Sequence, residues 1–167
     1  MQSFEHGGNI HKVLRETKDG KDGKKAILDF SANINPIGPP EWFRPLISSQ
    51  LTNLIHYPDP ENTEFIKAIS EHTGIAGEQI VAGNGTTELL YLITRVLPVK
   101  RALIPVPSYV DYVRAAKLGG LDVATFTMSE AKDFALDCSA LLAEIRPGDL
   151  VIIATPNNPT GQTVSSE

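Results

Sequence analysis

From residue 79 onward the sequence repeats one pattern without a break: a short apolar run, an amphipathic stretch at helical spacing, then another apolar run. The elements it predicts are strand Gln79 to Ala82, helix Thr86 to Leu97, strand Ala102 to Pro105 and helix Tyr109 to Leu118, then strand Val123 to Met128, helix Ser139 to Ile145 and strand Leu150 to Thr155. Strands that alternate with helices cannot pair through tight hairpins, so neighbours run parallel and the intervening helices cover the sheet. The run Leu150-Val151-Ile152-Ile153-Ala154 is apolar on both faces, as a strand covered from two sides requires. The fold class is therefore α/β, a mostly parallel sheet covered by helices.

The residues before this alternation read differently. Residues 1 to 40 form an amino-terminal arm and an irregular segment, and residues 41 to 167 carry the helices and the sheet. Residues 11 to 25 mix six basic side chains with three acidic ones and contain Gly20 and Gly23, which predicts a solvated linker. Ala26 to Phe30 reads as a short strand, and the Asn/Pro/Gly stretch Ser31 to Pro40 as irregular backbone. Glu41 to Leu54 and Glu61 to His72 have helical spacing, with a Tyr57-Pro58-Asp59-Pro60 turn between them and Gly74 as a stop.

Composition removes several function classes. The 15 Lys+Arg against 20 Asp+Glu leave a formal charge of -5, which gives no general attraction to nucleic acid or anionic lipid. The longest apolar runs, Leu89 to Ile93 and Leu150 to Ala154, are far short of the ~20 residues of a membrane span, so a soluble cytoplasmic protein is expected. The single cysteine, Cys138, forms no intrachain disulfide and reads as a small buried or half-buried hydrophobe. His11, His56 and His72 have no ligand-like spacing, and no metal site is expected.

In open α/β sheets ligands bind beyond the carboxyl ends of the strands, so three loops carry the candidate chemistry. Gly83-Asn84-Gly85-Thr86-Thr87-Glu88 is a glycine turn opening a helix, where unpaired N–H groups and the helix dipole favour an anion such as a phosphate. It lacks the third glycine of a dinucleotide fingerprint and the Gly-Lys-Ser/Thr of a P-loop. Pro105-Val106-Pro107-Ser108-Tyr109 stiffens a strand exit and presents an aromatic that can stack on a flat ring or simply pack over the sheet edge. Thr155-Pro156-Asn157-Asn158-Pro159-Thr160-Gly161 holds two amide side chains between prolines, suited to hydrogen-bonding a phenolic oxygen. A planar heteroaromatic phosphate fits all three loops. A non-catalytic phosphate- or nucleotide-binding module built on the glycine turn alone is the competing reading.

The strings PNNPTG (156 to 161), NGTTE (84 to 88), PVPSY (105 to 109) and HYPDP (56 to 60) occur in the order found in the fold type I pyridoxal-phosphate enzymes of the class I/II aminotransferase group, which the chain resembles over nearly its whole length. The resemblance implies the large cofactor-binding domain of that fold, incomplete here. It implies that Gly85, Thr86 and Thr87 hold the phosphate of pyridoxal 5'-phosphate, that Tyr109 stacks on its ring and that Asn158 hydrogen-bonds the ring hydroxyl. It also implies that Tyr57 reaches the cofactor of a neighbouring subunit, which makes a homodimer obligatory. Within the group, HGGNI (6 to 10) and DFSANINPIGPP (29 to 40) resemble threonine-phosphate decarboxylases more than histidinol-phosphate aminotransferases, with His6 and Asn33 matching substrate-contacting positions. The expected substrate is a phosphorylated amino acid or amino alcohol.

Two parts of that chemistry are expected downstream of this sequence: the Schiff-base lysine and the acidic partner of the pyridine nitrogen. None of the nine lysines sits in a comparable loop, and Ser165-Ser166-Glu167 reads as a helix start with no helix after it. The expectation is a chain cut from a larger enzyme, inactive alone, with no catalytic residue of its own.

Overall fold

The computed structural model describes residues 7–16 and 28–164. The chain clusters into two compact units, Met1–Asp59 and Pro60–Glu167.

The second unit holds the sheet. Strands β1 (Arg101–Val106), β2 (Asp122–Thr127) and β3 (Asp149–Val151) are all parallel and lie in the order β2-β1-β3. The register sets Arg101 opposite both Asp122 and Asp149. The central strand is buried from Ala102 to Pro105, and its side chains alternate between two cores. Ala102 and Ile104 pack with Ala116 and Leu121 on one face, whereas Leu103 packs with Phe126, Met128 and Leu141 on the other. Each fully buried Leu or Ile contributes about 1.5–3 kcal/mol by leaving water.

Those two cores say where the helices lie. Helix α5 (Val110–Leu118) supplies Ala116 to the first core and α6 (Cys138–Glu144) supplies Leu141 to the second, so the two crossovers cover opposite faces. The sequence therefore names the fold class correctly. Helix α4 (Gly85–Val96) lies against α5, where the Thr94 hydroxyl donates to the Ala115 carbonyl at 3.1 Å. The approach is closest at Gly119, whose position cannot carry a Cβ because it would lie 2.5 Å from the Thr94 carbonyl oxygen. Helix α3 (Thr63–Thr73) ends at Gly74 in the left-handed conformation (φ 73°), as the sequence predicts. Asp137 caps α6 by accepting from the Ala140 N–H, and that bond, followed by Lys132, holds its carboxyl below the usual aspartate value.

Several sequence expectations change. Gln79 to Ala82 forms no strand: Gly77–Gln79 is a 3-10 turn, and Ile80 is extended but unladdered, since a strand exists only where a neighbour bonds it. The ladder of β3 stops at Val151, although the Ile152 N–H still donates to the Leu103 carbonyl. Cys138 is exposed at the start of α6 and not buried.

In the first unit, α1 (Ile10–Glu16) replaces the front of the predicted linker, and α2 (Phe43–Gln50) continues as a 3-10 turn, Leu51–Ile55. Leu28 to Phe30, the described part of the predicted strand 26–30, is not a strand. The two strings that pointed to decarboxylases meet here: the Gly8 N–H donates to Ser31 Oγ at 2.7 Å, and a Cβ on Gly7 would overlap the Ser31 carbonyl oxygen. An open groove of about 450 Å³ runs between α1 and Leu28–Ser31. No helix among the described residues is long and apolar enough to cross a membrane.

Candidate functional site

The strand order creates the site. The chain leaves β1 for β2 on one side and returns through α6 to β3 on the other, so the direction of winding reverses between β1 and β3. At such a switch point the loops beyond the two carboxyl ends part and leave a crevice. The loops at 105–109 and 155–161 follow those two strands.

The glycine turn forms the first wall. Asn84 (φ -76°, ψ 64°) makes an inverse γ-turn in which the Gly85 N–H donates to the Gly83 carbonyl at 2.8 Å. Gly85 has φ +82° with open space around its Cβ position, so backbone conformation requires glycine there. Gly83 is glycine because of crowding: a Cβ would come within 2.8 Å of Leu89 Cδ2. No side chain caps the start of α4, and the Glu88 carboxylate accepts from the Asn84 N–H. With Gly85 engaged by Gly83, Thr86 and Thr87 are the candidate backbone donors at the positive end of the helix dipole.

Tyr109 forms the second wall as the residue before α5, its ring edge-on to Tyr112 at 5.5 Å. Burial is the main force holding the Tyr109 hydroxyl above the ordinary tyrosine value; the neighbouring Thr87 side chain opposes it and Asp111 adds to it. Tyr91 and Tyr112 are raised for the same first reason. The Ser108 hydroxyl is buried without a hydrogen-bond partner among the described residues and lines a cavity of about 20 Å³ with Asn157 and Gln162. That space suits a water molecule and is far too small for a cofactor ring.

The third wall is built by Asn157. Its Nδ2 donates to the Pro107 carbonyl at 3.0 Å and to Thr160 Oγ1 at 2.8 Å, while its backbone closes the loop with Gly161 and Gln162 at 2.7 Å. Asn158 is exposed, and its amide makes no hydrogen bond among the described residues. Sequence reasoning selected Asn158 and missed the separate role of Asn157. The two amides divide the work: one fixes the loop and the other faces outward.

One hydrogen bond joins the second and third loops, Asn157 with Pro107, and the Thr87 side chain of the first loop neighbours the Tyr109 hydroxyl. The residues present fit pyridoxal phosphate: an uncapped helix start for a phosphate, an anchored aromatic for a ring and an unengaged amide for a phenolic oxygen. Of the other candidates, Asn33 and Tyr57 are exposed in the first unit, Tyr57 at 99%. His6 lies outside the described residues, as does the predicted helix start at 165–167.

Comparison with known proteins agrees with this geometry. The chain is 44% identical over 98% of its length to the adenosylcobalamin biosynthesis bifunctional protein CobDQ of Leptospira interrogans, covering 19% of that protein. It is 34% identical over 93% of its length to the threonine-phosphate decarboxylase of Salmonella typhimurium, covering 42% of it. The chain thus spans less than half the length of these relatives. Among solved structures, the histidinol-phosphate aminotransferase of Clostridium acetobutylicum matches with a TM-score of 0.72 at 34% identity, over 84% of this chain and 41% of that one. The histidinol-phosphate aminotransferase of Sinorhizobium meliloti in complex with pyridoxal-5'-phosphate matches with a TM-score of 0.68 at 26% identity, over 77% and 35% of the two chains. The family model "Aminotransferase class I and II" matches residues 25–167, and the chain belongs to that family.

Proposed function

We propose that this chain is the cofactor-holding part of a pyridoxal-phosphate enzyme that decarboxylates L-threonine O-3-phosphate to (R)-1-aminopropan-2-ol phosphate in cobalamin biosynthesis. The observation that carries the cofactor reading is the bond from Asn157 to Pro107 that ties the second loop to the third, with Thr87 of the first loop beside the Tyr109 hydroxyl. The substrate reading is supported by the contact between Gly7 and Gly8 and Ser31, which places the two decarboxylase-like strings together, and by the 44% and 34% identities to CobDQ and to a threonine-phosphate decarboxylase. In this reading residues 1–40 serve the substrate side and residues 41–167 are a partial cofactor domain.

Bound pyridoxal phosphate supplies an electron sink for the carbanion left when a bond to the substrate Cα breaks. The work of this chain is to hold it. Thr86 and Thr87, with Gly85 shaping the turn, hold the phosphate at the start of α4. Tyr109 covers one face of the ring and excludes water from it. Asn158 donates to the ring hydroxyl and fixes rotation in the ring plane. His6 and Asn33 contact the phosphorylated substrate, and Tyr57 reaches the cofactor of a second subunit in a cytoplasmic homodimer. Whether decarboxylation or transamination follows would depend on where the substrate phosphate and carboxylate are gripped.

A histidinol-phosphate aminotransferase is the second reading, favoured by the TM-score of 0.72 to such an enzyme. Assaying the whole protein with both substrates separates them. Carbon dioxide release from threonine phosphate is the expected result, transamination of histidinol phosphate transfers the assignment, and neither activity refutes both. The 167-residue chain should carry no specific pyridoxyl-lysine after borohydride reduction, and stoichiometric labelling of one lysine would contradict that.

A further inference from the structure

The Ser108 hydroxyl is left over once the three walls are built. It is buried, has no hydrogen-bond partner among the described residues, and stands in the chain between Pro107, which accepts from Asn157, and Tyr109. A hydroxyl taken out of water without a partner is destabilising, so such groups are met by another polar atom or by an ordered water.

Pro105 explains why unmet polar groups gather here. Leu103 pairs with Val151, and the Ile152 N–H donates to the Leu103 carbonyl at 3.2 Å. In a parallel pair of that register the next bond runs back from the N–H of residue 105 to the Ile152 carbonyl. Residue 105 is a proline and has no N–H, so the ladder loses that rung and the Ile152 carbonyl loses its donor. Pro105, Ser108, Ile152 and Asn157 line one cavity of about 20 Å³. Both hydrogens of Asn157 Nδ2 are spent on the Pro107 carbonyl and Thr160 Oγ1, which leaves its Oδ1. The lining residues therefore offer one donor and two acceptors around more than the ~10–15 Å³ that a water needs.

We infer that one bound water is part of the crevice wall: it accepts from Ser108, donates to the Ile152 carbonyl and to Asn157 Oδ1, and stands in for the rung that Pro105 cannot make. Two hydrogens and a lone pair match those three groups. Through this water the second loop is linked to the third a second time, beside the direct bond from Asn157 to Pro107. A solvent molecule is an exchangeable link, so it joins the loops without locking them. The water site stands on this geometry alone, and only its effect on cofactor affinity rests on the pyridoxal-phosphate reading.

The test uses the whole protein. A crystal structure that resolves solvent should show a water within about 3.2 Å of Ser108 Oγ. In denaturant unfolding, Ser108→Ala should lower the folding constant about fivefold, as the loss of one water-mediated hydrogen bond does. An orphaned hydroxyl gives the opposite sign, because its removal relieves an unpaired buried group. In an Asn157→Ala background, Ser108→Ala should cost less than about twofold, since the bridge already lacks one end. A dry cavity, a protein atom bonded to Ser108 Oγ, a neutral or stabilising Ser108→Ala, or equal losses in both backgrounds overturns the inference. Read by absorbance, Ser108→Ala should also weaken pyridoxal phosphate about threefold as the two loops loosen. An unchanged affinity overturns the water's part in the site, whereas a wild-type protein that ignores pyridoxal phosphate refutes the functional reading and leaves the water to be decided by the structure and the unfolding.

Discussion

The two ends of the β1–β3 pair are held by different chemistry. At the amino end, Arg101 Nη1 and Asp149 Oδ2 are 2.6 Å apart, the Asp149 carboxylate is almost wholly buried, and the same oxygen accepts from the Arg146 N–H at 2.8 Å. At the carboxyl end, the side chain of Asn157 crosses to the Pro107 carbonyl with a neutral hydrogen bond of 3.0 Å. A charged clamp at one end and a single amide at the other leave the sheet firmly registered where nothing binds and more lightly tied where a ligand is proposed to sit. Strength is spent on register, and the crevice keeps its freedom to adjust.

That contrast can be broken from either end. The largest effect should come from Asp149→Ala, which strands Arg101 and costs about 3–5 kcal/mol of stability, as expected when one partner of a buried pair is removed; denaturant unfolding measures it, and cofactor affinity of the folded fraction should be unchanged. Gly119→Ala should cost about 1–3 kcal/mol by pushing α5 away from Thr94, again without touching the crevice. Asn157→Ala inverts the ratio: about 1 kcal/mol of stability, but a roughly tenfold weaker pyridoxal phosphate affinity as the third loop loosens. Asn158→Ala should leave stability within about 0.5 kcal/mol and still reduce cofactor affinity. A stability loss at Asn158 as large as at Asn157 would erase the division of labour between the two amides.

The smallest effect is a pH dependence far from the crevice. The Asp137 carboxyl is lowered from 3.8, first by the Ala140 N–H and then by Lys132, so its stabilisation is present above the unfolded value and lost as pH falls through the folded one. Melting curves below about pH 4 should therefore converge for wild type and Asp137→Asn, while near neutrality the wild type melts higher. Curves that stay parallel across that range would remove the Asp137 charge from the account.

Periodicity made most of the second unit legible. Helices α4, α5 and α6 and strands β1 and β2 lie within a residue or two of where the apolar spacing put them. What spacing could not supply was pairing. Among the described residues Gln79 to Ala82 has strand composition and no paired neighbour, and the β3 ladder ends at Val151 although the apolar run continues to Ala154. In the first unit Ile10, Val13 and Leu14 carry a helical spacing that the glycines at 20 and 23 obscured, because those glycines begin only after α1 has ended. At the site, motif strings identified the loops but not the roles inside them. Adjacent asparagines look alike in a sequence, and only the fold shows that Asn157 faces inward across the crevice. Asp111 reads as an ordinary first-turn acid until its burial and the Tyr91 hydroxyl at 3.4 Å are seen.

Strand order also sets a history for the molecule. Among the described strands the middle one comes first, and its two closures are unequal: Arg101 meets Asp122 early and Asp149 only after more than twice the intervening chain. Each doubling of a closed loop costs about 0.6 kcal/mol of entropy, which favours β2 docking before β3. Of these three strands β3 is the last to arrive, and the loop with Asn157 and Asn158 follows it, so the third wall forms after the other two. Ligand capture at the proposed site would then report the docking of β3, and a chain stalled before that step would keep the glycine turn and Tyr109 while leaving Asn157 without its bond to Pro107.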